Sequence, residues 1–487
     1  MVERNINSSG GRRRVESADL EPFSAALGAK GVIADRDAIA PHLIDWRGIY
    51  KGEAIAMLAP ASTGEVATCV RLAGELGIAL VPQGGNTSMV GGATPPADGS
   101  ALILSTRRMN TIRSIDPAAR LAVAEAGVIL STLHDAALAK GVRFPLSLGA
   151  RGSATIGGLV STNAGGTQVL RFGTMRALVA GIETVLPDGT VHNGLAPLKK
   201  DNRGYDLTQL MIGAEGTLGI VTAATLRLAP AIVDRAAAWV GLRRPQIALE
   251  LLRFCEARSG AAIESFEIVP APTLASVLRH IPGTRAPLSA DHAWNVLIEL
   301  VETEPGRDAT ARLTDLAEAA ASAGLIEDAA IAANEAQIAA FWRLRDSISE
   351  AERAEGPAMQ HDISVPVDAM PAFMESAAVT IEGEFPGTTA SAFGHLGDGN
   401  VHFHVKAPPG ADAAAWRSGE GKAASGRVYD LVTAVGGSIS AEHGIGQMKR
   451  DELLRLSAPS RIATLRAIKA ALDPKEIMNP GKLVPPV

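Results

Sequence analysis

Two glycine-rich segments near the end of the chain carry the side chains best suited to chemistry. The first, GHLGDGNVHFHV, spans residues 394–405, and the second, AEHGIG, spans residues 441–446. The Gly-Asp-Gly run predicts a turn, with His395 before it and a strand after it that places His402 and His404 on one face. His395 and His402 can therefore converge on one point.

A catalytic divalent-metal site needs the residue types found in these segments. Glu442 could join His395 and His402 in a two-histidine, one-carboxylate set that leaves coordination positions open for a substrate. A spare histidine would remain beside the metal as a base. A lone histidine near a strand is more often a hydrogen-bonded structural residue, so both interpretations stay open on these segments alone.

Size and charge narrow the class of protein. A chain of 487 residues predicts about three folding units. Its formal net charge of -6 argues against a nucleic-acid partner, because nucleic-acid binding needs a basic surface. Only Cys69 and Cys255 are present, far apart, so neither a disulfide framework nor a cysteine-ligated iron-sulfur cluster is expected. A reducing, cytoplasmic compartment is the expectation.

The organisation along the chain predicts four parts. Residues 1–19 contain basic residues but no apolar core, which indicates a disordered leader rather than a secretory signal. Residues 20–232 alternate short strands with glycine turns and helices, which predicts a first domain of α+β type. Residues 233–430 predict an antiparallel sheet with helices on one face. Residues 431–487 contain a helix that ends at Pro474. The sequence has no run of about 18 apolar residues, so no membrane-spanning helix is expected.

Three further glycine-rich segments are typical of phosphate binding. They are VPQGGNTSMVGGA at 81–93, LGARGSATIGGLVSTNAGG at 148–166 and IGAEGTLGIVT at 212–222. Closely spaced glycines let backbone amides approach an anion, and polar side chains among them are expected to add partners: Asn86, Thr87, Ser88, Ser153 and Asn163. Tight turns alone are the other interpretation, but three segments favour a long nucleotide. Neither a G-x-G-x-x-G fingerprint nor a P-loop is present.

Read in order, these motifs resemble the FAD-binding family typified by vanillyl-alcohol oxidase, and within it the flavin-linked D-2-hydroxy acid dehydrogenases. The likeness extends from about residue 40 to the end and also rests on LRFGTMRALVAGIETVLPDG, KDNRGYDL, HDISVPV and LDPKEIMNPGKLVP. HDISVPV and AEHGIG look most like the D-2-hydroxyglutarate dehydrogenase branch, with D-lactate dehydrogenases close behind. The resemblance implies an α+β fold: a two-subdomain FAD-binding domain, an antiparallel-sheet substrate (cap) domain and a helical C-terminal segment that returns to the flavin.

The same resemblance implies the residues that contact FAD. A histidine commonly ends the first loop in relatives that bind FAD covalently, whereas this chain has Asn86, so non-covalent FAD is expected. The implied cofactor residues are Pro82, Gln83, Gly84, Gly85, Asn86, Thr87, Ser88, Gly149, Ser153, Gly157, Gly158, Asn163, Gly165, Gly166, Glu215, Ile220 and Asn479.

It also implies a metal site at His395, His402 and Glu442, holding zinc or manganese, with His443 as the catalytic base. Arg345 and Ser349 lie one turn apart in FWRLRDSISEAE, so a helix would place both on one face, where Arg345 could clamp a substrate carboxylate. The implied substrate residues are Arg345, Ser349, Gln360 and His404.

Three positions depart from the close relatives. His404 stands in place of a usual Asn, Arg203 in place of a usual Thr, and Gln360 in place of a usual Lys. His404 could bind substrate or join the metal shell. The change at Gln360 removes a cation expected near a substrate carboxylate, which weighs against a dicarboxylate.

The implied activity is FAD-dependent, metal-assisted oxidation of a small D-2-hydroxy acid, of the D-2-hydroxyglutarate or D-lactate class, to the 2-oxo acid. Hydride goes to the flavin and electrons leave to an external acceptor: an electron-transfer flavoprotein, a quinone or a cytochrome. A metal-independent flavin oxidase of alcohols or sugars, and a catalytically silent FAD-binding electron-transfer subunit, stay open as alternatives. A homodimer is one expectation for assembly.

Overall fold

The computed structural model describes residues 12–485. Its strands are β1 (Val32–Ile33), β2 (Met57–Leu58), β3 (Ala79–Gln83), β4 (Ala101–Ser105), β5 (Ile112–Asp116), β6 (Leu121–Glu125), β7 (Val142–Arg143), β8 (Val179–Val185), β9 (Val191–Gly194), β10 (Ile220–Arg227), β11 (Ala229–Pro230), β12 (Asp234–Leu242), β13 (Ile263–Pro270), β14 (Trp294–Glu302), β15 (Asp328–Ile331), β16 (Ala358–Ser364), β17 (Thr389–His395) and β18 (Asn400–Lys406).

The α-helices are α1 (Glu21–Leu27), α2 (Arg36–Ile39), α3 (Thr63–Leu76), α4 (Leu130–Leu138), α5 (Ile156–Thr162), α6 (Val169–Phe172), α7 (Met175–Leu178), α8 (Leu207–Met211), α9 (Pro245–Ser259), α10 (Ala271–His280), α11 (Ala309–Ser322), α12 (Glu335–Asp346), α13 (Ile348–Glu355), α14 (Met370–Glu384), α15 (Ala413–Ser418), α16 (Glu420–Ala434), α17 (Arg450–Leu456) and α18 (Pro459–Leu472). Short 3₁₀ turns occupy Ser17–Leu20, Ala40–His42, Gly260–Ala262 and Val367–Ala369.

Two sheets build the first part of the molecule. The strands of the first are ordered β1-β2-β4-β3, with β2, β4 and β3 parallel, and the fully buried run of β4 is what a parallel strand covered on both faces requires. The second is antiparallel, in the order β5-β6-β10-β8-β9. Helix α3 packs against β3, β8 and β10 and so joins the two sheets. Ser62 caps its start and Gly77, at φ 68, ends it.

A seven-stranded antiparallel sheet, ordered β15-β12-β14-β13-β17-β18-β16, builds the second part. The prediction that its helices cover one face is wrong. Helices α9, α11, α14 and α16 bury one face, and α10, α12 and α13 bury the other. Strand β12 shows why: Ala238 and Val240 pack on the first side while Trp239 packs on the second. Consecutive apolar residues in a strand indicate burial on both faces.

The N-terminal prediction needs a correction. Residues 1–11 of the expected disordered leader lie outside the described residues, but residues 12–19 are packed on the protein. Val15 is 2% exposed, and its amide donates to the carbonyl oxygen of Gly99. Cys69 and Cys255 are both buried and unpaired. No helix among residues 12–485 has the length and apolar character needed to cross a membrane.

Candidate active site

The β17–β18 hairpin brings the predicted histidines together. Its register pairs His395 with Asn400 and Phe393 with His402, and β16 pairs Asp362 with His402 on the other side of β18. Because side chains alternate across a strand, these polar residues share the face of the sheet that lies beneath α12 and α13. Their apolar neighbours in the sequence face the core on the opposite side.

His395 is fixed by a buried carboxylate that the sequence analysis did not identify. Its Nδ1 lies 2.6 Å from Oε1 of Glu267, the cross-strand partner on β13, while Nε of Arg345 donates to Oε2 of Glu267 at 2.6 Å. A terminal nitrogen of Arg345 lies 3.4 Å from Nε2 of His395. Burial raises the pKa of Glu267, but His395 and Arg345 outweigh it and hold that pKa at about 2. Burial lowers the pKa of His395, but Glu267 raises it to about 9.

His402 stands beside this group in the form that binds metals. The ring centroids of His395 and His402 are 5.3 Å apart, and the two rings are nearly perpendicular. Burial, Arg345 and His395 lower the pKa of His402 well below its usual value. A neutral imidazole is therefore the form present at physiological pH, and neutral imidazole is a metal ligand.

Asp362 holds the loop that carries the other two predicted residues. Its Oδ2 accepts backbone hydrogen bonds from Glu442 at 2.9 Å and His443 at 3.1 Å, and its Oδ1 accepts one from Asn400 Nδ2 at 2.9 Å. Nδ1 of His443 lies 3.3 Å from Oδ2 of Asp362. Burial and the neighbouring Asp362 raise the pKa of Glu442 to about 7. Burial also lowers the pKa of His443, although Asp362 opposes that effect.

The side chains here offer two overlapping candidate sets for a divalent metal, and only one of them has its three ligand atoms close together. Asp362, Glu442 and His443 bring one ligand atom each within 4.8 Å of one another. The predicted set shares only Glu442 with that group. In favour of the predicted set, Glu267 occupies Nδ1 of His395, as a carboxylate usually does in metal-binding histidines. Nε2 is then the ring atom that could bind the metal, and the terminal nitrogen of Arg345 at 3.4 Å from it would have to move aside. Oδ2 of Asp362, in contrast, already accepts two backbone amides.

The substrate residues are only partly brought together. Arg345, with an 11% exposed side chain, reaches the histidines. The prediction that Ser349 shares its helix face is wrong, because the helix breaks at Ser347 and Ser349 is exposed on α13. Gln360 is also exposed and lies opposite His404. His404 is buried and pairs through Nδ1 with the buried carboxylate of Glu352.

Arg203, the remaining departure, lies away from these groups. Its side chain is 80% exposed and pairs with Asp201. Nothing in the structure explains the replacement.

The three glycine-rich segments converge as a cofactor site requires. A Cβ built on Gly85 would lie 1.9 Å from the carbonyl oxygen of Ser153, and one on Gly84 would lie 2.1 Å from Oγ1 of Thr155. A Cβ on Gly216, in the third segment, would lie 2.9 Å from Cγ of Pro82. The backbones can approach this closely only because glycine has no side chain. Gly149 is exposed and has no such neighbour within 4 Å.

Several side chains expected to face phosphate are instead bonded within the protein. The amide nitrogen of Asn86 donates to the carbonyl oxygens of Pro41 and Ile44. Oγ of Ser88 accepts from the backbone of its own loop, and Oδ1 of Asn163 accepts from the amide of Arg176. Gln83 likewise ties β3 to His42 and Ala93. Backbone amides and the hydroxyls of Thr87 and Ser153 are the groups that these segments could still offer an anion.

Other predicted cofactor residues connect the glycine-rich segments to the loop at residues 441–446, which carries Glu442 and His443. Both oxygens of Glu215 accept backbone amides of that loop, from Ile445 and Gly446, each at 2.7 Å. Asn479 donates to the carbonyl oxygen of Glu215, while its own Oδ1 is buried without a partner. A buried acceptor without a donor fits a site shaped for a bound group. The remaining predicted positions lie in the same segments: Thr87, Gly157, Gly158, Gly165, Gly166 and Ile220.

The residues missed by the sequence analysis are acids. Glu267 stands in the apolar strand SFEIVP and Asp362 in the motif HDISVPV. A charged residue that alternates with apolar ones in a strand is the signal that could have found both, because buried charges are kept only when paired. Glu352 lies in the polar stretch SEAERAEG and carries no such signal.

Comparison with known families assigns both parts of the chain. Residues 54–194 match the family described as FAD binding domain. Residues 234–483 match the family described as FAD linked oxidases, C-terminal domain.

Curated relatives match over nearly the whole chain. D-2-hydroxyglutarate dehydrogenase, mitochondrial, of Bos taurus is 38% identical over 457 residues, which cover 93% of this chain and 81% of the bovine protein. D-2-hydroxyglutarate dehydrogenase of Xanthomonas citri pv. viticola is 36% identical over 443 residues, 90% of this chain and 91% of that protein.

Among solved structures, p-cresol methylhydroxylase with substrate bound has a TM-score of 0.73 at 17% identity and covers 96% of each chain. At that identity the likeness shows the fold alone. The predicted α+β fold of the vanillyl-alcohol oxidase type is confirmed.

Proposed function

Because this chain belongs to the family of FAD-linked D-2-hydroxy acid dehydrogenases and is an FAD-dependent oxidoreductase, we propose that it oxidises a D-2-hydroxy acid to the 2-oxo acid with the help of a divalent metal. One observation carries the proposal. A single loop presents Glu442 and His443 to the buried histidine face while Glu215 binds the same loop to the FAD segments.

Binding begins with the substrate carboxylate. Glu267 holds Nε of Arg345 and thereby sets the direction of the guanidinium, whose terminal nitrogens remain to bind the carboxylate. Zinc or manganese held by His395, His402 and Glu442 would supply a Lewis acid that lowers the pKa of the substrate hydroxyl. Glu267 fixes the ring of His395 for that role, and because the His395 pKa is about 9 this ring would release a proton on binding the metal. The low pKa of His402 keeps its ring free of a proton.

Proton removal falls to His443. Its Nδ1 lies beside Asp362, so a proton there leaves Nε2 as the basic nitrogen. Nε2 takes the hydroxyl proton while the hydrogen on the α-carbon leaves with its electron pair. Bound FAD would provide the acceptor for that hydride, so the products would be the 2-oxo acid and reduced FAD.

The substrate is proposed as a D-2-hydroxy acid of the D-2-hydroxyglutarate or D-lactate class. The names of the relatives support D-2-hydroxyglutarate. Gln360 is neutral and exposed, and His404 is paired with Glu352, so neither provides a free cation for the additional carboxylate of that acid. These two residues support D-lactate. FAD is proposed to be non-covalent, because Asn86 offers no nucleophile for attachment.

Electrons from reduced FAD are proposed to leave to an external acceptor: an electron-transfer flavoprotein, a quinone or a cytochrome. Both cysteines are buried and unpaired, so neither provides a disulfide relay within the described residues. A cytoplasmic location and a homodimer stay predictions from the sequence.

The test is direct reduction of the bound flavin. The purified yellow protein is mixed anaerobically with the D and L forms of lactate, 2-hydroxyglutarate and malate, and with glycolate. Bleaching by a D-isomer is expected, and loss of that bleaching after chelation should be reversed by zinc or manganese. Full activity after chelation would instead favour the metal-independent oxidase. No bleaching by any of the acids would favour the silent electron-transfer subunit.

A further inference from the structure

Asp362 on β16 contacts the loop at residues 441–446 through several hydrogen bonds. Its Oδ2 accepts the consecutive backbone amides of Glu442 and His443, and its Oδ1 accepts the side-chain amide of Asn400. Its main-chain oxygen accepts Nζ of Lys449, which also donates to the carbonyl oxygen of Ile439 at the start of the loop. The aspartate is 4% exposed.

Only a carboxylate satisfies this set of donors. Both oxygens of Asp362 face N–H groups, so an amide side chain would set its own NH₂ against a donor in either orientation. Hydrogen bonds to a charged acceptor are also roughly twice as strong as neutral ones. Two such bonds to consecutive residues fix the peptide from which the Glu442 carboxylate and the His443 ring extend.

We propose that Asp362 is a positioning residue for the reaction: it sets the placement of Glu442 and the orientation of the His443 ring, without binding metal or substrate itself. The inference rests on the proposed function. The ring approaches Asp362 through Nδ1 at 3.3 Å, which leaves Nε2 to face the substrate. This arrangement follows the general rule that a base is oriented by a third group on its other nitrogen.

The rival role for Asp362 is that of a metal ligand. Asp362, Glu442 and His443 lie close enough to share an ion. Against that role, both oxygens are already acceptors for three N–H groups. The two roles differ in what D362N does to metal content.

The experiment compares wild type, D362N and D368N. Asp368 is a matched control because it lies six residues along the chain, with a side chain 76% exposed and paired with Arg253. FAD content and bound metal are measured first. Anaerobic stopped-flow with the acid that bleaches wild type then gives the flavin reduction rate and the substrate dissociation constant separately.

D362N is expected to slow flavin reduction about 100-fold, with substrate affinity changed less than about 3-fold and FAD and metal retained. D368N should match wild type. Reduction by D362N within about 3-fold of wild type, or failure of folded D362N to bind metal even with zinc or manganese in excess, would overturn the inference.

Should D362N fail to fold or to hold FAD, N400A removes only the partner of Oδ1. A reduction rate about 3 to 10 times lower, with metal retained, is then expected, and an unchanged rate overturns the inference. If no acid reduces the wild-type flavin, the proposed function falls and this inference with it. If wild type is reduced and D362N equally fast, this inference alone falls.

Discussion

Glu267 is the buried acid whose removal tests the histidine face most directly. Its side chain is 0% exposed and lies between the ring of His395 and the guanidinium of Arg345. Gln at this position keeps the shape and one acceptor but loses the charge. Its NH₂ group must then face one of the two donors, Nδ1–H of His395 or Nε of Arg345.

The pKa values set the magnitude. The His395 pKa is raised from 6.5 to about 9, which corresponds to about 3 kcal/mol of interaction that favours its charged form. The Glu267 pKa is lowered from 4.5 to about 2, which gives the same energy for the other partner. Removing one member of a buried pair costs about 3–5 kcal/mol in other proteins. E267Q should therefore lower the free energy of unfolding by about 3 kcal/mol and weaken metal binding about 10- to 100-fold.

Glu264 provides the matched control. It lies on the same strand, its side chain is 1% exposed, and it pairs with Arg143 and Arg171 instead of a histidine. E264Q should lose about the same stability while binding metal as wild type does. Urea unfolding and competition with a zinc-binding dye give the two quantities. Equal metal affinity in E267Q and wild type, or equal weakening in both variants, would refute the assigned role of Glu267.

Three further outcomes are expected. Replacing Arg345 with Ala should raise the KM for every substrate, and an unchanged KM would remove Arg345 from the substrate site. Burial raises the pKa of Glu299 from 4.5 to about 7 in the folded protein. Between pH 4.5 and 7 the unfolded chain therefore binds fewer protons than the folded protein, and the free energy of unfolding declines as pH rises. E299Q should unfold at a higher urea concentration than wild type at pH 8 but not at pH 4.5. Gly85→Ala should abolish FAD retention on a desalting column, because the new Cβ would lie 1.9 Å from the carbonyl oxygen of Ser153. The control Gly64→Ala should retain FAD, because the nearest atom to its Cβ would be 3.9 Å away.

Local patterns predicted the histidine hairpin well. The two-residue period of the strand predicted that His402 and His404 share a face, and the Gly-Asp-Gly turn predicted that His395 lies near His402, as observed. Both signals act within about ten residues of sequence, where backbone geometry decides the outcome.

The partners of those histidines could not be predicted in the same way. Glu267 is 128 residues before His395, and Glu352 is 52 residues before His404. Which strand or helix faces a histidine depends on the order of strands in the sheet, and local pattern does not encode that order. The helix break at Ser347 was not predicted for a different reason: FWRLRDSISEAE contains neither Gly nor Pro, the residues that usually mark a helix end.

The loop at residues 441–446 owes its position to acids from both parts of the molecule. Asp362 on the seven-stranded sheet accepts the amides of Glu442 and His443, and Glu215 in the FAD part accepts those of Ile445 and Gly446. A hydrogen bond to a charged group contributes about 1.5–3 kcal/mol, so separating the loop from either part breaks two such bonds. The loop therefore holds His443, the proposed base, and Glu442, the proposed metal ligand, between the two parts. Any motion that separates the parts would also displace both residues.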